Sequence, residues 1–386
     1  MTNRSSVTTS TKDDVLRVMA SANIRGSVLL FDPSGTVATP PGVTRIGYSP
    51  MHQSRRWDGA VLATRSLLSV QSHTRGGASE DHWVERAGAL IAPLLHAAAL
   101  RHESLDKFLM RVDRRDASEL EAELRRTYGE SHPSVNVLRG VLATEERERS
   151  GIWSSASGLF SGMRTESARR AAHEPNIEID EFLASPHQLH IVSPSRHQNV
   201  TTPLIVGLID YLVHATYDAH HRGARLLLAL DEVANVAPLP GLAAIVSEGG
   251  GQGVVTLACL QDLSQARTRW GRTADGFLSL FPATVVLPGI ADRTTLEMLS
   301  SLSGVARRST ESITTNRWRR RTSVATRWVT ESVLRPADIA HGRAGYALAL
   351  TTRKEIRWLR LTPAHEDDRF YARRGDVDPL ATRPGR

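Results

Sequence analysis

Arg225-Leu226-Leu227-Leu228-Ala229-Leu230-Asp231-Glu232 is an apolar run that ends in two adjacent carboxylates. A strand buried on both faces of a parallel sheet reads as such a continuous run. Two acids at its C-terminal end stand where open α/β sheets bind ligands, outside the carboxyl ends of the strands. An ordinary core strand followed by a solvated acid pair would read the same, so the run alone leaves both readings open.

The residues after it narrow the choice. Val233-Ala234-Asn235-Val236-Ala237-Pro238-Leu239-Pro240 leads to a glycine cluster, Gly249-Gly250-Gly251-Gln252-Gly253. A second strand-like run, Val254-Val255-Thr256-Leu257-Ala258-Cys259-Leu260, ends in Gln261-Asp262, with Leu263-Ser264-Gln265-Ala266 and Trp270-Gly271 beyond it. A strand tipped by Asp-Glu beside one tipped by an amide is the Walker B and sensor pattern of RecA-like motors. In that chemistry the first carboxylate holds the Mg²⁺ shell and the second orients or activates the attacking water.

Here the chain resembles the TraG/TraD-type coupling proteins of type IV secretion, the conjugative DNA-transfer ATPases. That family pairs Asp-Glu-hydrophobic-Ala-Asn with Gln-x-x-Ser-Gln at about this distance. Val28-Leu29-Leu30-Phe31-Asp32-Pro33-Ser34-Gly35 resembles the family's strand before an all-α insertion, and Trp83 with Ala87 resembles its Trp-x-x-x-Ala helix. Leu334-Arg335-Pro336-Ala337-Asp338-Ile339 and Gly345-Tyr346-Ala347-Leu348 resemble the closing strand region. The similarity covers roughly residues 5 to 362.

The resemblance implies an α/β fold: a RecA-like P-loop NTPase core, its first strand and P-loop absent here, with an inserted all-α domain. It implies ATP and Mg²⁺ as cofactors, with Glu232 as catalytic carboxylate, Asp231 holding nucleotide-bound Mg²⁺ through water, and Gln261 as sensor. It implies single-stranded DNA, a relaxase and type IV secretion channel proteins as partners. A homo-hexamer or a P-loop-bearing partner chain would complete the assembly. The place implied is cytoplasmic, peripheral to the inner membrane of a bacterium.

The departures carry equal weight. No Gly-x-x-x-x-Gly-Lys-Ser/Thr occurs, the loop whose main-chain amides and Lys hold the β- and γ-phosphates. In the family it lies just upstream of the strand that Ser6-Val7-Thr8-Thr9-Ser10 resembles. An Arg that the family often carries, a candidate trans-acting finger, has no counterpart in Gly249 to Gln252. The chain therefore has the metal and water half of an ATPase site without the phosphate cradle, and ATP hydrolysis by it alone is not expected. It reads as a gene fragment, half of a split protein or a degenerate adaptor. Two other readings remain open. One is an FtsK- or HerA-type DNA translocase, against which the Gln-x-x-Ser-Gln segment and the helical insertion argue. The other is a non-enzymatic adaptor that docks relaxase or DNA.

The 386 residues divide by pattern into four segments. Residues 1–79 read as the N-terminal part of the nucleotide-binding domain, and 80–170 as the all-α insertion. Residues 171–362 read as the main RecA-like domain, and 363–386, charged and proline-bearing, as a disordered tail. Within the insertion, Ser104-Leu105-Asp106 marks a helix start and Ile152 to Arg169 reads as one last helix. The longest apolar stretch, near Ala89 to Leu100, is too short to span a bilayer and is interrupted by Pro93 and His96. No signal peptide follows Met1. The lone Cys259, inside an apolar run, reads as a small buried residue, and no disulfide can form within the chain.

Of 48 basic residues only Lys12, Lys107 and Lys354 are lysines, a bias that fits GC-rich coding and says nothing of phosphate by itself. Location says more. The net charge is +7, and residues 305–386 hold 18 basic and 9 acidic residues, so they carry +9 and residues 1–304 carry −2. The excess peaks at Arg317-Trp318-Arg319-Arg320-Arg321, near Arg327-Trp328. Interleaved Arg and Trp can grip a phosphate backbone and stack on bases. A solvated hairpin or a subunit contact would show the same run. His190 reads as a core histidine. His220-His221 lack partners at metal spacing, and no Gly-x-Ser-x-Gly elbow supports Ser155 or Ser161 as a nucleophile.

Overall fold

The computed structural model describes residues 4–21, 25–72, 78–173, 177–316, 321–351, 356–363 and 366. The chain falls into two compact units, Met1–Leu260 and Gln261–Phe370.

The first unit is built on a six-stranded sheet. Its strands are β1 (Ser5–Ser10), β2 (Val28–Phe31), β3 (Val43–Arg45), β4 (Gln188–Val192), β5 (Leu226–Leu230) and β6 (Val254–Ala258). The order is β3-β2-β4-β1-β5-β6 and every pairing is parallel. One face is sealed: Val7, Leu189, Ile191, Leu226, Leu228 and Leu230 are fully buried. The crossover helix Gln198–Ala219, which joins β4 to β5, is buried through Leu204, Leu208, Ile209 and Leu212.

On the opposite face the helix Asp14–Ala20 lays Leu16 against Val28, Leu30 and Val192. By register that same face carries Ser6, Thr8, Leu227, Ala229, Val255 and Leu257. There the cover thins toward β6, where Val255 is 42% and Leu257 58% exposed. Cys259, expected to be buried, is exposed for the same reason: β6 is an edge strand.

Between β3 and β4 the chain is helical. The helix Ala78–Leu100 is apolar on nearly every side and buries Ala87, Leu90, Ile91, Leu94, Leu95 and Ala98, as a helix at the centre of a bundle must. Around it pack Trp57–Ser72, Ser118–Tyr128, Pro133–Leu142 and Glu146–Leu159. Ser104 caps Leu105–Arg114 by accepting from the Lys107 amide, and Pro133 sits in the first turn of its helix. The single helix expected over Ile152–Arg169 is two. The first ends at Leu159, a 3₁₀ turn spans Gly162–Arg164, and a second helix runs Glu166–His173. A Cβ on Gly162 would stand 2.6 Å from the Val200 carbonyl oxygen, so the turn between them meets another segment's backbone at a glycine.

The second unit holds β7 (Ala283–Val286), β10 (Tyr346–Thr351) and β11 (Ile356–Arg360) as an antiparallel sheet in the order β11-β10-β7. Val286, Leu296, Leu299, Ile339 and Leu348 form its core. A separate antiparallel pair, β8 (Val305–Asn316) and β9 (Arg321–Ser332), makes a long hairpin. Among the described residues no helix is long and apolar enough to cross a membrane.

Candidate functional site

Asp231 and Glu232 follow β5 directly, at the C-terminal edge of the parallel sheet. Cross-links hold this tip in place. The Cys259 amide donates to the Leu230 carbonyl at 2.9 Å, and the Val233 amide to the Cys259 carbonyl at 3.2 Å. From β1, Thr9 Oγ1 donates to the Asp231 main-chain oxygen at 2.9 Å. Thr11 Oγ1 donates to Glu232 Oε1 at 3.3 Å. The β1 tip thus positions both acids.

Glu232 has φ +46° and ψ +46°, the left-handed region that a non-glycine residue enters at a cost of about 1 kcal/mol or more. Its carbonyl nonetheless starts the next turn, accepting from Asn235 at 2.8 Å and Val236 at 3.0 Å. Such strain persists where the surroundings over-determine it, and it clusters at functional sites. Asp231 is exposed and Glu232 half-buried, so both carboxylates stay accessible.

Gln261 opens the second unit. Its amide donates to Gln265 Oε1 at 3.2 Å, and Gln265 Nε2 returns a bond to Gln261 Oε1 at 3.0 Å. The Gln-x-x-Ser-Gln segment is therefore a turn in which one glutamine orients the other. Asp262 caps the helix Leu263–Trp270 that follows. Arg317, Trp318, Arg319 and Arg320 lie outside the described residues. Arg321 opens β9 opposite Asn316, and its side chain is likewise outside them. Arg307 and Arg308 on β8 are exposed, and Trp328 on β9 is 66% exposed.

The sequence did not single out Thr9 or Thr11. The two threonines meet the acids across more than 220 residues of chain, and only their place at the C-terminal end of β1 could have hinted at them. Asp32, quoted for its motif, has a structural task. It is buried and accepts from the amides of Ser34, Gly35 and Val37, closing the turn after β2. His190 is 2% exposed, and its Nδ1 lies 2.7 Å from Thr8 Oγ1. Burial holds its pKa at about 4.

Residues 225–342 match the family model described as the TraM recognition site of TraD and TraG. That segment is similar to the TraG/TraD coupling proteins. The fold agrees. The unbound bacterial conjugative coupling protein TrwBdeltaN70 matches with a TM-score of 0.67 at 22% identity, over 93% of this chain and 78% of that one. The plasmid coupling protein TrwB in complex with ADP and Mg²⁺ matches with a TM-score of 0.63 at 21% identity, over 93% and 85%. At such identity the likeness speaks for the fold. No curated protein matches by sequence.

ATP and Mg²⁺ fit the residues of this chain only in part. A water-held Mg²⁺ suits an exposed Asp231 beside an anchored Glu232. Among the described residues no group of three His, Cys, Asp or Glu could ligate a metal directly. For the phosphates there is no fitting loop: none of the three lysines follows a glycine.

Proposed function

We propose that this chain works as the Walker B half of a type IV coupling protein, recruiting relaxase-bound single-stranded DNA to a secretion channel. In this reading Asp231 holds the Mg²⁺ shell through water, Glu232 directs the attacking water and Gln261 senses the γ-phosphate. Residues 80–170 act as the all-α module, and the chain assembles as a homo-hexamer or with a P-loop-bearing partner. Its place is the cytoplasmic side of a bacterial inner membrane. The observation that carries this is the acid pair at the β5 tip, with Glu232 held in a left-handed backbone and bonded to Thr11. The Gln261–Gln265 turn and the inserted helices favour a coupling protein over an FtsK- or HerA-type translocase.

Alone, the chain lacks the charge neutralisation that phosphoryl transfer requires. Steady-state turnover at millimolar ATP and Mg²⁺ should stay well below about 1 per second, the lower range of ordinary enzymes. A higher rate that vanished in Glu232→Gln would overturn the assignment of a half-site. For DNA, the exposed arginines of β8 and Trp328 support contact by the hairpin. Each phosphate contact on a single strand contributes roughly −0.7 to the slope of log K against log salt. Replacing Arg317, Arg319, Arg320 and Arg321 by Ala should flatten that slope by about three units in fluorescence anisotropy. An unchanged slope would leave the hairpin as a solvated or subunit-contact element.

A further inference from the structure

The two threonines at the β1 tip hold the acid pair in different ways. Thr9 is 2% exposed, and its hydroxyl donates at 2.9 Å to a main-chain group, the Asp231 carbonyl. Thr9 also pairs with Leu230 in the β1–β5 ladder, so this bond changes only if the strands part. Thr11 lies just past Ser10, the last residue of the strand. It is half-buried, and its hydroxyl donates to a side chain, Glu232 Oε1. The separation there is 3.3 Å, against about 2.5–2.7 Å for a tight hydroxyl–carboxylate bond. The first bond belongs to the framework. The second is long and half-open to water, and water can replace it at small net cost.

The segment after Thr11 sets where its hydroxyl stands. The Lys12 amide donates to Ser10 Oγ at 3.2 Å. The Asp13 carbonyl accepts from the Arg17 amide at 2.9 Å, and its carboxylate pairs with the Arg17 side chain. Thr11 thus passes through a two-residue turn straight into the helix Asp14–Ala20. That helix is lightly held. Among its seven residues only Leu16 is buried, seated among Val28, Leu30 and Val192. No side-chain bond caps its N-terminus, and Val15 is 46% exposed. So short a helix is not stable by itself, and an element docked through one apolar side chain opens at low cost.

The other end of the bond is fixed. Continued past Thr9 and Leu230, the β1–β5 register sets Thr11 level with Glu232. The Glu232 carbonyl is engaged by the amides of Asn235 and Val236, and its own amide donates to Asp231 Oδ1 at 3.1 Å. The main chain of Glu232 is therefore committed, in a left-handed conformation that its surroundings impose. Only its carboxylate is free to respond when Thr11 moves.

We propose that Thr11 is a positioning residue that parks the Glu232 carboxylate, and that the seating of the helix Asp14–Ala20 through Leu16 decides whether it does. With Leu16 seated, Thr11 keeps Oε1 at the β1 tip. When the helix lifts, the Lys12–Asp13 turn carries Thr11 away and the carboxylate turns toward the exposed Asp231. Thr9 keeps Asp231 in place in both states. The acid pair is thereby gated by a helix on the face of the sheet, which contributes no residue to the pair itself. The role of the freed carboxylate rests on the Walker B reading; the latch rests on the hydrogen bond and the helix.

The test uses the full chain and Mn²⁺ alone, in place of Mg²⁺, with binding read from water-proton relaxation. Thr11→Val keeps the shape and removes the donor. It should tighten Mn²⁺ binding by about threefold or more, as a second carboxylate comes within reach of the ion. Thr11→Ser keeps the donor and should bind as the native chain does. Adding Glu232→Ala to Thr11→Val should abolish the gain. Leu16→Ala touches neither acid, yet should tighten binding like Thr11→Val and add nothing to it in the double variant. Should Leu16→Ala not melt cooperatively, Leu16→Val is read in its place. Unchanged affinity in Thr11→Val overturns the latch, and so does Thr11→Ser behaving like Thr11→Val. Unchanged affinity in the Leu16 variant overturns the gating by the helix. If Asp231→Asn binds Mn²⁺ as tightly as the native chain, it is the Walker B reading that fails. The latch is then decided by melting curves without metal, where Thr11→Val and Glu232→Ala should be non-additive; additive losses would overturn it.

Discussion

The helices between β3 and β4 and the β5–β6 end of the sheet belong to one compact unit, yet they are finished to different degrees. In the helices even the buried charges are matched. Glu103 is buried, and burial alone would raise its carboxyl, but Arg111, Lys107 and Arg101 donate to it and hold it at about 2. Arg111 in turn bonds Glu103 and Glu119 and faces Asp116. At β6, by contrast, main-chain groups and two large apolar side chains face solvent. The helical cluster is closed; at the sheet end the β6 edge is open among the described residues. Exposed strand edges are the less protected part of a sheet, so the contrast sets where local opening should be easiest.

The largest expected effect lies in the closed region. Glu103→Ala leaves the buried Arg111 without its main partner, and breaking a buried pair from one side costs about 3–5 kcal/mol. The value should fall at the low end, because Glu119 and Asp116 still face Arg111. Urea unfolding monitored by circular dichroism measures it, and a loss below about 1 kcal/mol, the range of surface pairs, would erase the distinction.

Next comes the boundary between covered and bare sheet, marked by His190. Its folded pKa of about 4 lies below the ordinary imidazole value of 6.5. The unfolded chain therefore binds the proton first as pH falls. Stability is unaffected above about 6.5, is lost progressively between 6.5 and 4, and levels off below, about 3 kcal/mol in all. His190→Gln should remove that share of the acid sensitivity; a variant with the same pH profile would mean the imidazole is solvated.

The smallest effect belongs to the open face. Leu257→Ser should change the free chain's stability by no more than about 0.5 kcal/mol, as surface substitutions do. A core position such as Leu95→Ala should cost about 2–5 kcal/mol. Similar losses at the two sites would show that Leu257 is covered after all.

The sequence carried the strand, its acids and the parallel α/β fold because those signals are local. Leu226 to Leu230 is an uninterrupted apolar run, and Asp231-Glu232 ends it at a defined place. Ser104 and Pro133 announce helix starts for equally local reasons. Contacts made across the chain were not legible. Glu232's left-handed backbone depends on what surrounds it, the Thr11 bond spans 221 positions, and Gly162 packs against the Val200 main chain where a side chain would not fit. The β6 case is instructive in another way. Val254 to Leu260 is as apolar as a strand buried on both faces, and Cys259 was read as buried accordingly. Composition records the environment a strand is suited to, and here the residues described supply only part of it.

Native-state hydrogen exchange on the free chain tests the contrast most directly. Amides of Ile91, Leu94 and Leu95 should exchange only through global opening, and that of Leu228 nearly as slowly. Thr256 and Ala258 should exchange within about tenfold of unstructured peptide rates, because opening there costs about 0–1 kcal/mol. Protection at Thr256 and Ala258 equal to that at Leu228, in a chain shown to be monomeric, would contradict an open sheet edge.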